Sequence, residues 1–247
     1  MPPPLIATKL SAWVRRQRPM TWRGSSPHPV MAAALGRWAD APSDIHDHLG
    51  TMFAEAVAAR PRLILELGTR GGVSTRALLA AADVTDAHML SVDIVHCTLD
   101  GVPERFGGRW NFIQHDDVAF AGAPFEAFCA ERGLPPLADV ILIDTSHRYE
   151  QTCRELDAWL PRLGPRGVMM FHDTNMGTGW FRRLDGRVRP SWNNQRGVIR
   201  AIEERLGGRR WDEGSFFSDT VDGFVVQHAP WSSGFTVLRR IGETAGA

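Results

Sequence analysis

The chain has 247 residues, 43% hydrophobic and 23% charged, enough for one large α/β domain with a sizeable core. Its 28 basic and 28 acidic residues cancel, which removes nucleic acid and anionic membrane surfaces as default partners. Three cysteines (Cys97, Cys129 and Cys153) without a C-x-x-C pair argue against a disulfide framework or structural zinc, so a reducing cytoplasm is the expected setting. No apolar run approaches a membrane span, and the opening MPPPLIATKLSAWVRRQRP lacks the long apolar core of a signal peptide.

Residues 1–42 are rich in proline and arginine, with Trp13, Trp22 and Trp38 interspersed. They read as an extension with one short helix near residues 6–17. Such a segment docks on its own domain, on a second subunit, or over the substrate as a lid. Residues 43–247 read as the ligand-binding domain. Ser43 looks like a helix cap, and Leu49, Met52, Phe53, Ala56 and Val57 follow at helical spacing.

The stretch RLILELGTRGGVS, residues 62–74, is the most informative. An apolar strand stops at Glu66. A glycine-rich turn follows, Gly68-Thr69-Arg70-Gly71-Gly72, and a helix starts near Ser74. This is a pocket where a ligand can touch backbone. Asp93 ends a second short strand about 20 residues after the glycines, where a carboxylate suits ribose hydroxyls.

Further on, residues 110–114 read as a strand, 124–132 as a helix, and 138–143 as an apolar strand ending at Asp144. Residues 149–163 read as a helix with Leu156, Trp159, Leu160 and Leu163 inward. Residues 168–171 form another apolar strand ending at His172-Asp173. A helix over 197–206 and an antiparallel pair, 223–227 and 235–240, complete the chain. The alternation predicts a doubly wound, mostly parallel sheet of seven strands with an antiparallel final strand. It also gathers Glu66, Asp93, Asp116, Asp144, His172 and Asp173 at one sheet edge. Residues 174–196 form a long connection carrying Trp180, Phe181 and Trp192 among Arg182, Arg183, Arg187 and Arg189. Aromatic faces suit a sugar or aromatic ring, and arginines suit a carboxylate or phosphate. A structural excursion with solvated arginines accounts for it equally well.

E-x-G-x-x-x-G with Glu66 and Asp93 resembles the cofactor site of class I S-adenosylmethionine-dependent methyltransferases. I-D-x-x-H-x-Y at residues 143–149, then a helix, G-P-x-G and His172-Asp173, resembles the metal-dependent O-methyltransferases that tailor macrolide and aminocoumarin sugars, and the cephalosporin hydroxylase-like proteins. The likeness spans residues 44–206. It implies S-adenosylmethionine bound by Glu66, Gly68, Thr69, Arg70, Gly72, Ser74, Asp93, Asp116 and Asp144. It implies magnesium or another divalent metal held by Asp144 and Asp173, and His147 as general base. His172 stands where several relatives carry a carboxylate; as a ligand it favours a nitrogen-tolerant metal. A small-molecule acceptor, such as one bearing a sugar, and a homo-oligomer are implied as well. Three other readings stay open: an iron-dependent hydroxylase on the same fold, a non-catalytic cofactor-binding subunit, and a nicotinamide-binding protein. The last lacks the middle glycine of its fingerprint.

Overall fold

The computed structural model describes residues 28–36, 43–100 and 103–242. Two helices come first, α1 (Pro29–Leu35) and α2 (Leu49–Ala59). β1 (Leu63–Leu67) leads to α3 (Val73–Thr85), then β2 (His88–Asp93), α4 (Glu104–Gly107) and β3 (Trp110–Gln114). Two short helices, α5 (Asp117–Phe120) and α6 (Ala123–Glu131), precede β4 (Ala138–Ile143). α7 (Tyr149–Trp159) then returns the chain to β5 (Leu163–His172). A small ribbon, β6 (Trp180–Arg182) and β7 (Val188–Pro190), precedes α8 (Gly197–Arg205), and β8 (Phe217–Val221), β9 (Phe224–Ala229) and β10 (Phe235–Arg240) finish the sheet.

The main sheet has eight strands in the order β3-β2-β1-β4-β5-β10-β9-β8. The first five are parallel, and β10, β9 and β8 follow as an antiparallel meander. From β1 the chain runs outward through β2 and β3, then crosses back to place β4 on the other side of β1. That reversal opens a crevice at the carboxyl ends of β1 and β4.

Alternation along the strands sorts the core into two layers. Leu63, Leu65, Ile141, Ile143, Met169 and Phe171 pack with Leu156, Trp159 and Ile199 of α7 and α8. Ile64, Val140, Leu142, Val168 and Met170 pack on the other face with Met31 of α1, Met52 of α2 and Leu78 of α3. Each such fully buried side chain contributes about 1.5–3 kcal/mol of transfer free energy. The same parity continues past the strand ends. Ile143 pairs with Phe171, so Asp144 and His172 follow opposite each other on the face shared with α2.

Four expectations change. The helix begins at Leu49, after a 3-10 turn at His46–His48, and Ser43 does not cap it. The polar run before the helix is spent on the ribbon instead: Asp47 pairs with Arg183 at 3.3 Å and accepts from the Leu184 amide at 2.9 Å. The helix expected over 149–163 stops at Trp159, because Pro161 has no N–H to continue it. The sheet gains β8, an edge strand whose residues alternate between half-buried and exposed, too polar to read as core. The connection 174–196 contains the β6–β7 ribbon rather than open loop. The helix expected near residues 6–17, with Trp13, Trp22 and Trp38, lies outside the described residues. Within the expected extension, α1 packs Met31, Ala34 and Leu35 into the core beside α3. Among the described residues, no helix is long and apolar enough to cross a membrane.

Candidate active site

The glycine turn leaves β1 at Gly68, which has φ +86° and lies against the backbone of the neighbouring strand's exit. A Cβ there would stand 2.2 Å from the Asp144 carbonyl oxygen. Only glycine fits both the space and the left-handed conformation. The Asp144 amide in turn donates to the Leu67 carbonyl at 2.9 Å. The turn after β1 and the acid after β4 are thus in backbone contact.

Glu66 sits beneath this turn, fully buried. Its carboxylate accepts from the hydroxyls of Ser74 (2.7 Å), Thr75 (2.8 Å) and Ser91 (2.6 Å). Trp110 Nε1 donates to Ser91 Oγ at 2.9 Å and extends the network to β3. Burial outweighs the three hydroxyl bonds and pushes the carboxyl up to about 7. Glu66 therefore ties α3 and β2 to the turn from below. Asp93 holds the turn from the side, accepting from the amides of Thr69 (2.7 Å), Arg70 (3.1 Å) and Val95 (2.8 Å).

Three observations fit this cradle to an adenosyl ligand. Thr69 Oγ1 is buried without a hydrogen-bond partner. A Cβ at Gly71 would meet open space. Ile94 and Val95, next to Asp93, are 68% and 64% exposed, an apolar edge beside that carboxylate. Leu99 closes on the far side of the turn, against Gly72.

The second cluster lies at the ends of β4 and β5. Ligand atoms of Asp144, His147 and Asp173 lie within 4.8 Å of one another. His147 Nδ1 is 3.0 Å from Asp173 Oδ2 and 3.8 Å from Asp144 Oδ1. His172 Nδ1 enters the same group, 3.1 Å from Asp144 Oδ1 and 3.3 Å from Asp173 Oδ2. Its Nε2 faces the Ser232 carbonyl at 3.1 Å. A carbonyl only accepts, so Nε2 carries the proton. The Nδ1 lone pair would then oppose two carboxylates, unless a proton or a metal ion stands between them. Neighbouring ligands of a divalent metal lie about 3 Å apart at bond lengths near 2.1 Å, so Asp144, His172 and Asp173 fit one. Without metal, the proton takes that place. Burial opposes protonation of His172, yet Asp173 and Asp144 outweigh it and hold its pKa well above the ordinary imidazole range. For His147 too, burial is outweighed, here by the Asp173 hydrogen bond, and the pKa is raised. Burial raises Asp173, but His172 and His147 prevail and hold it well below the usual carboxylate range.

Distant residues position this cluster. His147 and Asp173 both have φ +57°, a left-handed conformation that costs about 1–2 kcal/mol per residue. Asn194 staples the two, donating to the carbonyls of His147 and Asp173 at 3.2 Å each. Ser232, Ser233 and Gly234 are left-handed in succession, and a Cβ at Gly234 would stand 2.3 Å from the Asn175 amide. That turn clasps the Asp173 loop and aims the Ser232 carbonyl at His172. Ser232 Oγ donates to Asp47, which Arg183 also grips. His48 packs its ring edge-on to His172, with centroids 5.8 Å apart. Burial, reinforced by His172, drives His48 down to about 3, so it backs the site as a neutral ring. Thr145 Oγ1 donates to Glu155, whose carboxyl is pushed up to about 7 by burial and by Asp117.

Of the expected site residues, the structure brings together Gly68 and Asp144 at the crevice, Thr69, Arg70 and Asp93 around the turn, and Asp144, His147, His172 and Asp173 in one cluster. Glu66 and Ser74 bond each other beneath the turn. Gly72 caps α3 and meets Leu99. Arg70 points outward to Asp44 at 3.5 Å. Asp116 caps α5 through the Ala119 amide at 2.8 Å. Asp47, His48, Asn194 and Ser232 had no legible role in the sequence. Each acts across a large separation, and no local motif marks it.

Residues 65–174 match the model of a methyltransferase domain family. No protein of curated function matches the sequence. Among solved structures, cofactor-bound Rv0187 from MTB is 16% identical with a TM-score of 0.53, covering 95% of this chain and 97% of that one. A Podospora anserina methyltransferase with S-adenosylhomocysteine bound is 15% identical, TM-score 0.51, covering 95% of each chain. The Bacillus cereus O-methyltransferase, also in complex with S-adenosylhomocysteine, is 15% identical, TM-score 0.51, covering 96% of this chain and all of that one. At these identities the likeness speaks for the fold. The chain has the class I methyltransferase fold, and its residues 65–174 carry the signature of a methyltransferase domain.

Proposed function

We propose that the protein is an S-adenosylmethionine-dependent O-methyltransferase acting on a hydroxyl of a small-molecule natural product, aromatic or sugar-bearing. The catalytic unit proper is taken as residues 43–247, with α1 packed into its core from outside that span. One observation carries this reading: Gly68 touches the Asp144 backbone, so the glycine cradle and the carboxylate–imidazole cluster share a wall. A sulfonium donor on one side of that wall and a hydroxyl on the other are within reach of each other.

The chemistry follows from the residues. Asp173 accepts the Nδ1 proton of His147, 3.0 Å away, which leaves Nε2 as the base. Nε2 has no hydrogen-bond partner among the described residues. It takes the acceptor's hydroxyl proton as the oxygen attacks the methyl carbon. The C–O bond forms, the C–S bond breaks, and the sulfonium leaves as a neutral thioether. Asp173 stabilises the imidazolium that results. Asp144, His172 and Asp173 would hold a divalent metal, which when bound polarises the acceptor oxygen. Most of the rate gain comes from holding nucleophile and methyl group in line.

Calorimetry with S-adenosylhomocysteine tests the first half, and transfer of labelled methyl from S-adenosylmethionine to catechol and sugar probes the second. Micromolar binding is expected. Folded protein that gives no heat at millimolar ligand would overturn the reading.

A further inference from the structure

We propose that the acceptor carries an anionic group, a carboxylate or phosphate, which Arg148 and Arg154 receive in a cleft beside His147 while its ring lies against Trp192. This inference rests on the O-methyltransferase reading and names its substrate class.

The cleft encloses about 720 Å³ and is lined by Ser146, Arg148, Glu150, Gln151, Arg154 and Trp192. That volume is of the size that holds a small organic ligand. Its position is set by the chain itself. Ser146 and Arg148 are the two sequence neighbours of His147, so the cleft flanks the residue assigned as base, whose own side chain is not part of the lining. Trp192 comes from the far end of the β6–β7 excursion, its ring centroid 6.2 Å from that of His147. Asn194, two residues on, is bonded to the His147 carbonyl, so the tryptophan and the histidine are held by one strap. Trp192 is 45% exposed, and its open surface faces the cleft as a ring platform.

The charges in the cleft are unbalanced. Arg148 makes no ion pair or side-chain hydrogen bond among the described residues. Arg154 is bonded to the neutral amide oxygen of Gln151. Glu150 is the one acid in the lining, so two guanidiniums face one carboxylate. Two arginines of the excursion are engaged elsewhere, Arg183 by Asp47 and Ser43 and Arg187 by Asp185. The arginines in the cleft lining are Arg148 and Arg154, at and near the start of α7. Guanidinium forks suit carboxylate and phosphate oxygens, while Glu150 and Ser146 offer partners for hydroxyls.

The test uses the full chain loaded with S-adenosylhomocysteine. p-Nitrophenyl β-glucuronide and p-nitrophenyl β-glucoside share an aryl and a sugar ring and differ by one carboxylate; glucose 6-phosphate and glucose form the phosphate arm. The charged member of at least one pair is expected to bind about tenfold tighter or more. Arg148→Gln with Arg154→Gln should erase that preference and leave S-adenosylhomocysteine affinity and the neutral probe unchanged. Arg148→Lys, which keeps the charge, should retain part of it, and Trp192→Ala should weaken both glycosides alike. Equal binding of charged and neutral probes in both pairs, or a preference that survives the double variant, would overturn the inference alone. Failure of the wild-type chain to bind S-adenosylhomocysteine would overturn the underlying reading and this with it.

Discussion

The two halves of the crevice hold their carboxylates by opposite means. On the β1–β2 side, Glu66 is held by three hydroxyls and Asp93 by three backbone amides, all neutral donors. On the β4–β5 side, Asp144 and Asp173 face two imidazoles. The hydroxyl and amide donors of the first half do not titrate near neutrality, as a binding cradle requires, although the Glu66 they hold does. Imidazoles move protons near neutrality, as a catalytic group requires. On the proposed function the first half binds and the second reacts, and each variant below tests that separation.

The largest effect belongs to the reacting half. His147→Ala should lower kcat by about 10²–10⁴ while leaving S-adenosylhomocysteine binding in place. Its pH profile follows from the same residue. His147 works when neutral, and Asp173 raises its pKa, so kcat should climb with pH along a limb centred above 6.5. A limb centred lower would show that another group is the base. The mirror variant is Asp93→Ala, which should weaken S-adenosylhomocysteine about 10–100-fold, as loss of a charged hydrogen-bond acceptor does. Gly68→Ala strikes the shared wall. A Cβ at 2.2 Å from the Asp144 oxygen, in a left-handed conformation, should cost about 2–4 kcal/mol and lower Tm by about 5–10 °C.

Glu66→Gln sharpens the comparison through stability. Burial raises the carboxyl from 4.5 to about 7 in the folded chain, so its contribution is fullest below pH 4.5 and is lost as pH rises through 7. Between pH 5 and 8 the wild type should lose about 2.5 kcal/mol relative to the glutamine variant, read from urea midpoints. A constant difference would show Glu66 ionised throughout. The smallest effect is Ser232→Ala, about 1 kcal/mol and 2–4 °C in Tm, from the lost bond to Asp47.

What the sequence made legible was local. The apolar runs at β1, β2 and β4 end at glycine or acid, so strands, edge and candidate acids could be read together. Register then followed from parity, which sets Asp144 opposite His172. The orientation of His172 could not be read, because the carbonyl that fixes its ring belongs to Ser232, 60 residues away. The excursion shows the same limit. Its arginines were visible, but not that Arg183 is taken by Asp47, 136 residues earlier. β8 escaped because an edge strand buries only half its surface. Arg148 and Arg154 carry no local signal, because only the fold sets Trp192 in the same cleft lining.

A crystal structure with S-adenosylhomocysteine tests the shared wall most directly. The sulfur should lie over the Gly68–Asp144 junction, with the ribose at Asp93 and the open side of the sulfur toward His147 Nε2. A ligand seated elsewhere, or a sulfur turned away from His147, would contradict the account.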